Sequence, residues 1–175
     1  MSIAKLPIEQ KHWHALYVNS RAEKKVMDML LSKNIEAYVP IVKVMKQWSD
    51  RKKRVEVPLF NGYVFVNILN SQNEAVLQTK GVVNFVRHVG KIAIVREVEI
   101  NRLKQIVDLG YHIELSNLTQ DYKEGDKIKI LSGPLKNMEG FVFKKNNEQF
   151  VEVVLESIGQ NIRVKLLKEM LDPVK

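Results

Sequence analysis

Hydrophobic and polar positions follow two periods along this chain, and the switches between them mark its elements. Trp13-His14-Ala15-Leu16-Tyr17-Val18 reads as a first strand. Ser20-Arg21-Ala22-Glu23 has the form of a capping box, with the serine accepting an N–H bond and the glutamate reaching back. Ala22, Val26, Met29 and Leu30 then recur at helical spacing, and Asn34 is a suitable terminator. Ile35 to Met45 returns to strand character, with Val39, Ile41 or Val42, and Val44 available for burial. The polar, basic run from Lys46 to Arg54 reads as the tip of a long hairpin. Val55-Glu56-Val57-Pro58 is its half-buried return strand, and Pro58 places that strand's end on an edge. Tyr63 to Ile68 is almost wholly apolar, which suits a central strand buried on both faces. Asn61-Gly62 before it permits positive φ and a tight bend.

Ser71-Gln72-Asn73-Glu74 forms a second capping box, opening a short helix that Gly81 ends. Val82–Val89 and Ile92–Val95 are strand-like. Glu97–Leu109 predicts a third helix, with Val98, Leu103, Ile106 and Val107 on its inner face and Gly110 as its stop. The order β-α-β-β-β-α-β-α predicts an α+β sandwich over residues 12–110, an antiparallel sheet with helices packed on it. Residues 111–122 are polar and aperiodic and read as a linker. Residues 123–175 hold only short strands, at Lys127–Leu131, Gly140–Lys144, Phe150–Glu156 and Ile162–Leu167, turned at Gly133-Pro134, Asn146-Asn147 and Gly159-Gln160-Asn161. Such spacing predicts a small closed β-barrel.

Charge sharpens this division. Residues 1–112 carry 18 Lys+Arg against 10 Asp+Glu, and residues 113–175 carry 10 against 10, so the whole excess of +8 lies in the first part. That asymmetry points to a polyanion, most often nucleic acid, beside the N-terminal domain. At 45% hydrophobic and 27% charged residues the chain has globular composition. It has no apolar run approaching the ~18 residues of a membrane span, and no apolar segment near its start that would act as a secretory signal. The absence of cysteine excludes disulfides and thiolate metal sites and fits a cytoplasmic protein.

Catalytic chemistry finds no support. His12, His14, His88 and His112 make no helical His pair and have no carboxylate cluster, and His12-x-His14 reads as incidental, so no metal site is expected. No nucleophile elbow or Walker motif is present. Glu97 and Glu99 suit a helix start, where the dipole favours anions. No cofactor is expected and the chain does not read as an enzyme. Trp48 beside Arg51-Lys52-Lys53-Arg54 is the best polyanion contact, combining a stacking ring with phosphate-binding cations. Thr79-Lys80-Gly81, with Lys24 and Lys25, is a second basic feature. Tyr63 and Phe65 share one face of their strand, and periodicity alone favours ordinary packing for them.

Three stretches, Trp13 to Val18, Leu59-Phe60-Asn61-Gly62-Tyr63-Val64-Phe65-Val66, and Thr79 to Arg87, resemble the N-terminal domain of the NusG family of transcription elongation factors. Gly125-Asp126-Lys127-Ile128-Lys129-Ile130, Gly133-Pro134-Leu135 and Gly140 resemble that family's C-terminal KOW motif, an SH3-like β-barrel. The resemblance implies docking on the clamp helices of the RNA polymerase largest subunit. The matching pocket positions are Tyr17, Tyr63, Phe65, Val82 and Phe85, which turns the two central aromatics from packing into anchors. It implies that the basic hairpin lies near upstream DNA, and that Lys25, Thr79 and Lys80 lie near the non-template DNA strand or the nascent RNA. The barrel loop Ile158-Gly159-Gln160 matches the family's contact with a small-subunit ribosomal protein or Rho. Ile158 and Gln160 replace the phenylalanine and arginine of general members, which weakens the expected coupling to Rho. The hairpin tip and Pro58-Leu59-Phe60 are most similar to the specialised UpxY-type antiterminators. A housekeeping elongation factor and a free KOW-type RNA-binding module are the alternatives; the neutral charge of residues 113–175 argues against the latter.

Overall fold

The computed structural model describes residues 9–47, 51–108, 124–132, 136–145, 148–155, 157–164 and 171–173. In chain order the elements are β1 (His12–Val18), α1 (Glu23–Ser32), β2 (Glu36–Tyr38), β3 (Ile41–Gln47), β4 (Lys52–Pro58), β5 (Tyr63–Ile68), a single 3-10 turn (Asn70–Gln72), α2 (Asn73–Leu77), β6 (Val82–Phe85), β7 (Arg87–His88), β8 (Lys91–Ile92), β9 (Ile94–Val95), α3 (Glu97–Asp108), β10 (Lys127–Ile130), β11 (Glu139–Lys145), β12 (Glu148–Leu155), β13 (Gln160–Val164) and β14 (Leu171–Pro173). They fall into two compact units, Met1–Ile41 with Pro58–Glu97 and Val42–Val57 with Val98–Lys175. Among the described residues no helix is long and apolar enough to cross a membrane.

The first unit is built on an antiparallel sheet of order β2-β5-β1-β6, with β9 also pairing β1. Leu16 lies opposite Val64 and Tyr17 opposite Tyr63, so the period of two sorts β1 and β5 into the same two faces. One face carries Leu16, Val18, Val64, Val66 and Ile68, covered by Val26 and Leu30 of α1 and Val76 of α2 in a single core cluster. Burying each such side chain contributes about 1.5–3 kcal/mol. The helical face read from the sequence is therefore the packed one, and Asn34 does end α1 in the left-handed region, at φ 58°.

Both helix starts depart from the capping boxes the sequence suggests. The cap position of α1 is Ala22, with no side-chain cap, and its N–H is taken by the Asn19 carbonyl at 3.0 Å. The buried Glu23 carboxylate instead accepts the Gly62 N–H at 2.7 Å, tying the helix start to the bend before β5. Ser71 donates through N–H and hydroxyl to the Glu9 carboxylate, both at 2.8 Å, and Gln72 accepts the Leu69 N–H at 3.0 Å. Glu23 and Ser71 thus serve long-range partners, while the local cap of the second helix start passes to Gln72.

Three strand assignments also shift. The stretch 35–45 divides into β2 and β3, with Pro40 between them, and its carbonyl accepts the Leu59 N–H at 2.7 Å across the base of the hairpin. The stretch 82–89 breaks at Val86, where β6 ends and the β7–β8 hairpin begins. Lys46, Gln47 and residues 52–54 lie within strands β3 and β4, so the connection is shorter than the proposed tip, and residues 48–50 lie outside the described residues.

In the second unit β3 and β4 make a two-stranded ribbon, and β13-β12-β11-β10-β14 make a five-stranded antiparallel sheet. The sequence reading missed β14. The linker 111–122, Gly110 and the turns at Gly133-Pro134 and Asn146-Asn147 lie outside the described residues. On α3 the buried apolar side chains among the described residues are Ile100 and Leu103; Val107 is half-buried, the Ile106 side chain lies outside the described residues, and Val98 is exposed and does not belong to the inner face.

His14 is the one buried histidine among the described residues. Its Nδ1 donates to the Ala93 carbonyl at 2.9 Å, its Nε2 meets no hydrogen-bond partner, and its ring stands edge-on to Phe85 at 5.9 Å. Burial pushes its pKa below 6.5; the Ala93 bond opposes this and His12 adds a smaller push downward. A folded-state pKa below the unfolded one means that the unfolded chain binds the proton more readily. Stability is therefore expected to be intact above 6.5 and to fall as pH drops below it. Urea melts across that range are expected to lose part of this slope in a His14→Phe variant.

Candidate functional site

The face of the sheet opposite α1 and α2 is aromatic. β1 contributes Trp13, Ala15 and Tyr17, β5 contributes Tyr63 and Phe65, and β2 contributes Tyr38, placed together by the pairs Tyr17 with Tyr63, Ala15 with Phe65 and Tyr38 with Phe65. The Tyr17 and Tyr63 rings lie 5.1 Å apart. Phe60, at the bend before β5, stands edge-on to both Tyr63 and Phe65, each at 6.3 Å. Such tilted pairs add about 0.5–1.5 kcal/mol each beyond simple burial.

This face is not uniformly open. Phe65 is 0% exposed and Tyr63 9%, while Tyr17 is 40% exposed. Phe65 is thus a packing residue, as periodicity alone suggests, and Tyr17 is the aromatic that solvent or a partner can reach. The other two expected pocket residues lie elsewhere. Phe85 lies opposite Leu16 and belongs, 2% exposed, to the core under the helices, with Val82 packed against that same core. The resemblance placed both in the pocket; the pairing of Phe85 with Leu16 sets it on the helix-covered face, and the register shift between Tyr17 and Val18 brings Val82 opposite Val18 on that same face. Phe60, Trp13 and Tyr38 were missed. Phe60's place just before the Asn61-Gly62 bend is the signal that could have found it, since the bend folds it back on the strand that follows.

The basic positions separate in the same way. Lys24, Lys25 and Lys80 are exposed. They share a corner, because Gly81 packs against Val26 and Ala22 of α1 and its carbonyl accepts the Asn19 N–H at 2.9 Å. Thr79 does not belong to this surface. It is 3% exposed, and its hydroxyl donates to the Ala75 carbonyl at 3.1 Å and accepts from Lys33 Nζ at 2.8 Å. The hydroxyl is consumed in holding the end of α2. Arg51, Lys52, Lys53 and Arg54 are all exposed, three of them along β4, while Trp48 lies outside the described residues.

In the C-terminal part Ile158 is 7% exposed, so it is not presented to solvent as a partner loop would be. Ser157 beside it donates to the buried Glu99 carboxylate of α3. Gly159 is exposed at φ 62°, and the Gln160 side chain lies outside the described residues. Among the described residues no group of three or more acidic or histidine side chains is arranged to hold a metal ion. The arrangement offers adhesion through an aromatic face and exposed cations.

Comparison with known proteins agrees with this character. The family model described as transcription termination factor nusG matches residues 11–104. The transcription termination/antitermination protein NusG of Deinococcus radiodurans is 25% identical, over 88% of this chain and 94% of that protein. Its counterpart of the same description in Synechocystis is 28% identical, over 89% and 85%. Among solved structures, NusG of Thermotoga maritima, studied for its domain interaction, superposes with a TM-score of 0.64 at 23% identity, covering 95% of this chain and 98% of that one. The family match takes in more than half of the chain, including every strand of the aromatic face, and the chain therefore belongs to the NusG family of transcription termination and antitermination factors.

Proposed function

We propose that this chain is an operon-specific antiterminator of the specialised UpxY type, docking on the clamp helices of the RNA polymerase largest subunit and suppressing pausing and termination. Factors of its family are non-enzymatic and bind RNA polymerase. The observation that carries the docking reading is Tyr17, an aromatic 40% exposed on a face whose other rings are largely sealed. Tyr63 braces it at 5.1 Å, Phe60 stands edge-on to Tyr63, and the buried Phe65 stands against Phe60 in turn. A rigid, backed aromatic loses little entropy on binding, which is why such side chains anchor interfaces. Phe65, Val82 and Phe85 act in this reading by shaping the sheet rather than by touching the partner.

The exposed cations supply the second half of the mechanism. Arg51 to Arg54 on the hairpin, and the corner of Lys24, Lys25 and Lys80, face solvent and suit phosphate contacts with the non-template DNA strand or the nascent RNA. We further propose that residues 12–110 form the docking domain, 111–122 a linker, and 123–175 a KOW-type SH3-like barrel. The short antiparallel strands β10 to β14 and the end of the family match at residue 104 support that division. A small-subunit ribosomal protein is the barrel's proposed partner, with weak coupling to Rho because Ile158 is smaller than an aromatic and is withdrawn.

The housekeeping reading is favoured by the relatives, both described as termination/antitermination proteins. A purified Rho-dependent termination assay separates the two. The chain is expected to leave the termination position unchanged where a general NusG shifts it upstream. Stimulation of Rho by this chain would move it to the housekeeping group.

A further inference from the structure

The hairpin of β7 and β8 is closed by two residues only, since Arg87 lies opposite Ile92 and His88 opposite Lys91. Both loop residues have positive φ, 48° at Val89 and 77° at Gly90. A loop of this kind favours Asn-Gly, and a β-branched residue is among the poorest choices for its first position. Valine is not there for packing either, because Val89 is 87% exposed. Local folding thus explains Gly90 and leaves Val89 unexplained. The tip is nevertheless held in shape, since Arg87 Nη1 donates to the Gly90 carbonyl at 3.0 Å. Strain retained in a well-held turn points to a contact made by the side chain it displays.

The surroundings say what kind of contact. Arg87, His88 and Lys91 are all exposed around the tip. From residue 75 to residue 96 the chain contains Lys80, Arg87, Lys91 and Arg96 and no acidic residue. We propose that the β7–β8 hairpin is a nucleic-acid contact, with Arg87 and Lys91 on phosphates and the Val89 methyl groups against a sugar or base edge. A two-stranded ribbon is narrow enough to reach into a groove or along an unpaired strand, and apolar tips make contacts there that cations cannot. This contact is separate from the aromatic face and does not rest on it.

The test uses the full chain and fluorescein-labelled DNA, duplex and single-stranded, with anisotropy read across a potassium chloride series. Val89→Asn should melt no lower than the parent, because asparagine accepts the left-handed region. It should nevertheless bind DNA about fourfold more weakly, the weight of roughly one buried methyl group. Lys91→Gln should flatten the slope of log affinity against log salt by about 1. Leu31→Ala, exposed at the end of α1, should leave both quantities unchanged. The proposal is overturned if the parent shows no salt-sensitive DNA binding, or if both hairpin variants bind as the parent does. It is equally overturned if they keep DNA binding and lose core RNA polymerase instead, which would make the tip a protein contact. A Val89→Asn variant that melts lower would remove the argument from strain and overturn it as well.

Discussion

Phe65→Ala is expected to lower stability by about 3–5 kcal/mol, as removal of a buried phenylalanine generally does. Phe65 sits in the middle of β5 at 0% exposure, with Phe60 at 6.3 Å and Tyr38 at 6.5 Å. Only the methyl group of Ala15 faces it across the β1 pair, so no neighbour on that strand is large enough to fill the space. The loss is a large share of the ~5–15 kcal/mol that holds a typical domain folded. Urea unfolding measures it, with Phe65→Leu as the milder companion. A change below about 1 kcal/mol would contradict the burial, because it would place the ring against water or a partner rather than in the core. The consequence for function is direct: a Phe65 truncation that fails to bind polymerase reports on folding, not on docking.

Gly81→Ala should have the next largest effect, for two separable reasons. Gly81 has φ 96°, where an L side chain is strained, and an added Cβ would stand 2.9 Å from the Val26 methyl and 3.7 Å from the Ala22 Cβ. Strain is worth about 1–2 kcal/mol and overpacking about 1–3 kcal/mol, so a combined loss of roughly 2–5 kcal/mol is expected. Gly90→Ala supplies the control. Its φ is 77°, and an added Cβ meets nothing within 4 Å, so only the strain should appear. If both variants lose the same stability, Val26 yields at no cost and α1 is not tightly seated on the loop that follows α2.

The two glycines also show how far the sequence could be read. Helix α1 was legible because its apolar positions keep the helical period, and strands β1 and β5 because their short, nearly continuous apolar runs suit burial in a sheet. The residues that went astray are those whose surroundings come from distant parts of the chain. Glu23 has the spacing of a local cap, yet the Gly62 N–H, 39 residues away, is the donor it satisfies. Thr79 sits beside an exposed lysine in sequence, yet Lys33 of the α1 cap reaches in and takes its hydroxyl. Phe85 counts as a pocket residue by resemblance, yet its pairing with Leu16 of β1 sets it on the face that the helices cover. Tyr17 and Tyr63, paired across adjacent strands without a shift, remained together as expected. Periodicity reports which residues share a face of one strand; it does not report how much of that face is left uncovered, and exposure is what separates Tyr17 from Phe65.

Tyr17 therefore bears on the central claim most directly. Core RNA polymerase, immobilised and titrated with the full chain, measures it, alongside thermal melts of the same preparations. The parent is expected to bind. Tyr17→Ala is expected to melt as a cooperative fold and to bind on the order of thirtyfold more weakly, the ~2 kcal/mol that marks an interface anchor. A folded Tyr17→Ala variant that keeps the parent's affinity, or a parent chain that does not bind polymerase at all, would contradict docking through this face.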